Sequence, residues 1–146
     1  LQLAVSLHAA DPALRARLIP RPHDQGVDRI VAAARDYQEA TGRQVTFEAV
    51  LLRGVNDGPE AADRMGRLLA GGGFFVNLIP CNPVPGLPQE PPPPARVRSF
   101  AAVLARRGIA VRVRRPRGLA REAACGQLRA AVRKRGKGGV DLPPPA

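Results

Sequence analysis

Three things are scarce in this chain of 146 residues: cysteine, long apolar runs, and acidic residues in its last third. The only thiols are Cys81 and Cys125, 44 positions apart. That count excludes a disulfide-dense scaffold and points to a reducing, cytoplasmic setting. Two thiols also cannot build a cysteine-ligated metal site by themselves, so no metal ligand is expected among these residues. No apolar stretch is long enough to span a bilayer, and no membrane partner is expected. The opening Leu1-Gln2-Leu3-Ala4-Val5 lacks a basic region and a small-residue cleavage site, so it does not read as a signal peptide. It reads as a β-strand entered without a turn, and the expectation is that the chain forms the C-terminal part of something longer.

Charge is the next signal. The formal net charge is +11, and it is unevenly placed. Residues 1–94 carry 9 basic and 10 acidic groups, whereas residues 95–146 carry 14 basic and 2 acidic. A basic excess confined to one segment is the electrostatic footprint of a polyanionic partner such as nucleic acid. The alternative is an arginine-rich composition on a solvated face.

Periodicity predicts strands alternating with helices. Residues 1–6 read as a strand, and Val27, Ile30, Val31, Ala34 and Tyr37 fall at helical spacing before Thr41-Gly42 closes the segment. VTFEAVLL at 45–52 is the clearest second strand. Asn56-Asp57-Gly58-Pro59 gives a turn into a helix over about 59–70, with Pro59 in its first turn. The triplet Gly71-Gly72-Gly73 breaks that helix, and FFVNLIP makes a third strand at 74–80. A long Pro83–Pro94 loop leads to a helix over about 95–107 and a strand over 109–115. A last helix is expected between 121 and 135, and a disordered, basic and proline-rich tail over 136–146. The domain proper therefore covers residues 1–135. Strands joined by helix-length crossovers imply an α/β fold with parallel strands. Four strands do not close a barrel, and a half barrel fits better than a small open sheet. In such folds chemistry collects on the loops after the strand C-termini. Ser6-Leu7-His8, Asn56-Asp57, Asn82-Pro83 and Arg117 to Cys125 all fall on those loops.

Cys125 stands in Ala123-Ala124-Cys125-Gly126-Gln127-Leu128, with Arg112, Arg114, Arg115, Arg117, Arg121 and Arg129 nearby in sequence. Guanidinium groups favour the thiolate, which is the reactive form, and small neighbours leave room for a bulky reactant. Free cysteine is also often a small buried hydrophobe. Cys81, a free cysteine, is assigned to packing as a small hydrophobe. Glu48 lies in mid-strand, either facing a lumen as a hydrogen-bonding group or held in a buried ion pair with an arginine.

The four rim segments taken together, VSLHA at 5–9, VTFEAVLLRGVND at 45–57, VNLIPCNPVPG at 76–86 and AACGQLR at 123–129, resemble the radical S-adenosylmethionine adenine C2-methyltransferases, the RlmN family, which modify 23S rRNA and tRNA. The likeness runs from residue 1 to about 135. It implies the C-terminal half of a partial (β/α)6 radical SAM barrel. It also implies that Cys125 is the residue methylated by one S-adenosylmethionine. A second S-adenosylmethionine, cleaved reductively by a [4Fe-4S] cluster, then makes that methyl a radical that adds to adenine C2. By the same resemblance Ser6, Leu7, His8 and Asn82 contact S-adenosylmethionine, through a hydroxyl and backbone groups at 6–8 and an amide at Asn82 that Pro83 helps to aim. Read without the resemblance, Ser6 and His8 are polar strand-end groups, and Asn82-Pro83 is an ordinary turn.

The family's CxxxCxxC cluster motif, its glycine-glutamate cofactor loop, its N-terminal RNA-binding domain and its second cysteine have no counterpart in residues 1–146, so the cluster ligands are expected upstream. Near Cys125 the sequence also departs from the acidic stretch that usually follows Arg-Gly. The implied partners are 23S rRNA, tRNA and an electron donor such as flavodoxin, and the implied state is a monomer. The sister family that methylates adenine C8 through the same carrier cysteine, and a non-catalytic basic RNA-binding fragment, remain as alternative readings.

Overall fold

A computed structural model describes residues 2–19, 26–82 and 90–114. The expected helix at 121–135, the tail at 136–146, Arg115, Arg117, Pro83 and Cys125 all lie outside the described residues.

Four strands, β1 (Ala4–Ser6), β2 (Thr46–Leu51), β3 (Phe75–Pro80) and β4 (Ala110–Val113), form one sheet in the order β1-β2-β3-β4. Every pairing is parallel. Between β1 and β2 run α1 (Pro12–Leu18) and α2 (Val27–Thr41); α3 (Pro59–Leu69) joins β2 to β3, and α4 (Pro94–Arg106) joins β3 to β4. The α/β class and parallel topology are those expected. Strand ends differ by one to three residues from the sequence reading, most at β1, which is regular only from Ala4.

Strictly sequential strand order means that each crossover is wound onto the same side. A doubly wound sheet reverses its order and so covers both faces. The packing here follows the single winding of a barrel. One apolar cluster joins Val27, Val31 and Ala34 of α2, Ala62, Met65 and Leu69 of α3, and Val97, Phe100 and Leu104 of α4 to Phe47, Ala49, Val76 and Leu78 of the sheet. Those strand residues share one face, because side chains alternate along a strand. Phe47 meets Phe74 edge to face, with ring centroids 5.0 Å apart.

Local chemistry explains the helix ends. Gly42 takes φ 66° and donates its N–H to Gln38 O at 2.8 Å, closing α2 in the left-handed conformation that a glycine adopts without strain. Pro59 sits in the first turn of α3, as its missing N–H allows. Helix α1 has no counterpart in the sequence reading. Its signal is Asp11-Pro12: Asp11 Oδ1 accepts from the N–H groups of Ala13 and Leu14 at 2.9 and 3.2 Å. Seven residues are too few to show a helical period.

The opposite face of the sheet is polar. Ser6, Glu48, Asn77 and Arg112 stand in one register across all four strands. Toward the strand C-termini this face becomes apolar again, where Val50, Leu52, Cys81 and Ala9 pack with Leu18 of α1. The packing role assigned to Cys81 is therefore the observed one.

Candidate functional site

The C-terminal ends of β1, β2 and β3 bring Ser6-Leu7-His8, Asn56-Asp57 and Asn82 to one rim, as expected for three of the four chemically capable segments. The fourth, which ends at Cys125, lies outside the described residues.

Strand β1 ends in a tight turn. Ala9 N–H donates to Leu7 O at 2.7 Å, and His8 between them has φ 60°, the sole positive φ on a non-glycine among the described residues. An i→i+2 bond around a positive φ is the rare, strained form of the γ-turn. Two kinds of bond hold it. The N–H groups of Leu7 and His8 both donate to Glu48 O, at 2.9 and 3.2 Å. Asn56, 1% exposed, then spans the tops of β1 and β2. Its Nδ2 donates to His8 O at 2.8 Å and to Val50 O at 2.7 Å, while its Oδ1 accepts from Leu52 N–H at 2.7 Å.

His8 itself is 8% exposed, and its Nδ1 accepts from Val50 N–H at 3.0 Å. Burial, and secondarily the Arg15 guanidinium, lower its pKa from 6.5 to about 4. The ring is neutral at physiological pH, and with Nδ1 accepting, its proton must sit on Nε2. Arg15, also buried, donates from Nη2 to Ser6 O at 3.3 Å.

These bonds sort the expected cofactor residues. Ser6 and Asn82 are exposed at the rim, with a hydroxyl and an amide to offer. His8 offers a neutral Nε2–H. Leu7 is fully buried in the main apolar cluster, and its N–H is already committed to Glu48. Its observed work is anchoring the turn. The N–H groups of residues 7 and 8 are both bonded to β2.

Asn56 was legible as a turn former and as part of a rim segment. What the sequence did not reveal is that its amide points inward and ties two strands together. Asp57 is likewise turned in: 2% exposed, it accepts from Gly54 N–H at 2.9 Å and pairs with Arg96 at 3.4 Å.

A second concavity, about 500 Å³, lies on the polar face of the sheet, lined by Gln2, Thr46, Glu48, Asn77, Arg112 and Arg114 among others. Here Glu48 pairs with Arg114 at 3.7 Å, both partners partly exposed. The arginine pair that forms is on the polar face and partly exposed, not the buried ion pair that was one of the two possibilities for Glu48.

Among the described residues no group of three or more His, Cys, Asp or Glu side chains is placed to hold a metal. The whole chain carries only two cysteines. These residues do not fit an iron-sulfur cluster with three thiolate ligands. No described helix is long and apolar enough to cross a membrane.

No family model matches the chain. Individual proteins do. The chain is 49% identical over 128 residues to a Synechococcus protein named "Probable dual-specificity RNA methyltransferase RlmN", covering 88% of the chain and 36% of that protein. A Symbiobacterium thermophilum protein of the same name is 48% identical over 137 residues, 93% of the chain and 37% of the relative. The chain thus spans just over a third of the length of the curated relatives it matches. Among solved structures, a radical SAM methyltransferase from Sphaerobacter thermophilus superposes with a TM-score of 0.79 at 46% identity, over 87% of this chain and 37% of that one. A domain of a pyruvate-formate lyase-activating enzyme from Bacteroides vulgatus gives a TM-score of 0.63 at 17% identity, a likeness of fold alone.

Proposed function

We infer, from a chain that is kin to the proteins named RlmN across nearly nine-tenths of its own length, that it is the C-terminal portion of a radical S-adenosylmethionine RNA methyltransferase acting on C2 of adenine in 23S rRNA and tRNA. The observation that carries this reading is the 49% identity to a protein named as an RNA methyltransferase over 128 residues, 88% of the chain.

In this reading the rim holds S-adenosylmethionine. The Ser6 hydroxyl, the neutral His8 Nε2–H and the Asn82 amide supply polar groups from the ends of β1 and β3, either side of β2, and Leu7 anchors the turn that carries His8. Neutral His8 suits a cationic sulfonium ligand, since a charged imidazolium beside it would be repelled. Cys125 is the methyl carrier. The methyl must travel on a protein sulfur because C2 of adenine is electron-poor and does not attack a sulfonium. The cluster that initiates the radical chemistry would be held by thiolates outside these 146 residues, since the two present do not suffice. The arginine-rich segment 95–146 supplies phosphate contacts to RNA, whose strength falls steeply with salt. An electron donor such as flavodoxin completes the system, which works as a monomer in the cytoplasm.

The test is Cys125→Ala in the intact enzyme. Methyl transfer to RNA should be abolished while cluster assembly is spared, because the carrier thiol ligates no iron. Peptide mass spectrometry should find S-methylcysteine at position 125 of the active enzyme, and nucleoside analysis should place the product methyl on C2. Normal turnover in the variant, or a methyl on Cys81, would overturn the assignment.

A further inference from the structure

The Leu7-His8-Ala9 turn is held in a conformation it would not choose, and one buried side chain ties its central carbonyl to the neighbouring strand. A non-glycine residue at φ 60° in a γ-turn stores strain that the surroundings must overcome. At His8 the restraint comes from Asn56, 48 residues away in sequence, whose Nδ2 grips the carbonyls of both His8 and Val50 while its Oδ1 receives Leu52 N–H. The imidazole closes the same circuit from the other side, through Val50 N–H to Nδ1. Val50 is thereby bonded through both its N–H and its C=O to the two residues of the clamp. All three of Asn56's amide bonds are 2.7–2.8 Å long, and the residue is 1% exposed, so no water competes for them.

We propose that Asn56 is a positioning residue for S-adenosylmethionine: by pinning the His8 carbonyl to β2 it holds the Leu7-His8-Ala9 turn, directly after Ser6, in the left-handed shape that presents the His8 Nε2–H to the cofactor beside the Ser6 hydroxyl. This rests on the functional reading above. Asn56 touches no ligand and acts only through His8 and β2. An asparagine is needed because the clamp requires two N–H donors and one acceptor on a single planar group. Aspartate keeps the acceptor and loses both donors, facing two carbonyl oxygens with a carboxylate. Serine keeps at most one donor.

The decisive comparison is between wild type and Asn56→Asp in the intact protein. S-adenosylhomocysteine, which cannot react, serves as the probe in calorimetric titration at a temperature where circular dichroism shows both proteins fully folded. Asn56→Asp should weaken binding about tenfold or more, in keeping with the loss of two buried hydrogen bonds that shape the turn. The His8 ring nitrogens, followed by NMR, should at the same time lose the signature of an accepting Nδ1. If Asn56→Asp does not fold, Asn56→Ser carries the same test with a smaller expected loss. A merely structural asparagine would lower the melting temperature yet leave the affinity of the folded protein within twofold of wild type, and that result would overturn the proposal. A wild-type protein that fails to bind the probe would instead overturn the functional reading, and this inference with it.

Discussion

The two faces of the sheet are built from alternate residues of the same strands, yet they obey different chemistry. On the helix-covered face Phe47, Val76 and Leu78 are fully buried and Ala49 nearly so. On the other, Ser6, Glu48, Asn77 and Arg112 run in register, with Ser6 exposed and Glu48 partly so. A sheet with helices on both sides would show two apolar faces and near-continuous hydrophobic strands. Here alternation survives in a parallel sheet because single winding leaves one face to line a lumen. The outer face carries the main apolar core, and the inner face and its rim carry the exposed polar groups.

That contrast can be broken experimentally. Phe47→Ala, on the outer face, removes a fully buried ring and its edge-to-face partner contact with Phe74. It should cost about 3–5 kcal/mol by urea denaturation. A loss below about 1 kcal/mol would mean that the outer face does not dominate the fold.

The rim lies between the two regimes, and pH probes it. Unfolded, His8 takes up its proton near 6.5; folded, not until about 4. Its contribution is therefore fully present above pH 6.5 and is lost as pH falls toward 4, by about 3 kcal/mol at most. Urea unfolding at several pH values should show this loss in wild type. The dependence should shrink across that window in His8→Asn, which does not titrate and tolerates a left-handed backbone. Equal pH dependence in both would place the imidazole in water.

The smallest effect is expected on the inner face. Glu48→Gln breaks a 3.7 Å pair whose partners are 29% and 55% exposed. Solvent screening limits such a pair to less than about 1 kcal/mol. A larger loss in urea titration would show that this face is covered when the protein folds.

Legibility followed the range of the forces involved. Strands β2 and β3, helices α2 to α4 and their stops were readable because period, proline and glycine act locally. So was the assignment of Cys81 to packing, from the usual burial of free cysteine. Helix α1 was missed because seven residues show no period, and only Asp11-Pro12 marked its start. Ser6 and Asn82 reached the rim as the alternation of strands and helices implied. The inward turn of Asn56 was not readable: an Asn-Asp-Gly-Pro run looks the same whether its amide faces water or bridges two strands.

The sequence by itself determined the alternation of elements, the parallel pairing, the basic segment and the resemblance to radical S-adenosylmethionine RNA methyltransferases, all carried by residue type and spacing. Tertiary structure alone decided that the Leu7 side chain is buried with its N–H bonded to β2, that His8 is neutral in a strained turn, and that Asn56 bonds its carbonyl. Those outcomes depend on which groups 40 or more positions apart meet in a space without water. Burial then decides which protonation state and which hydrogen bonds persist.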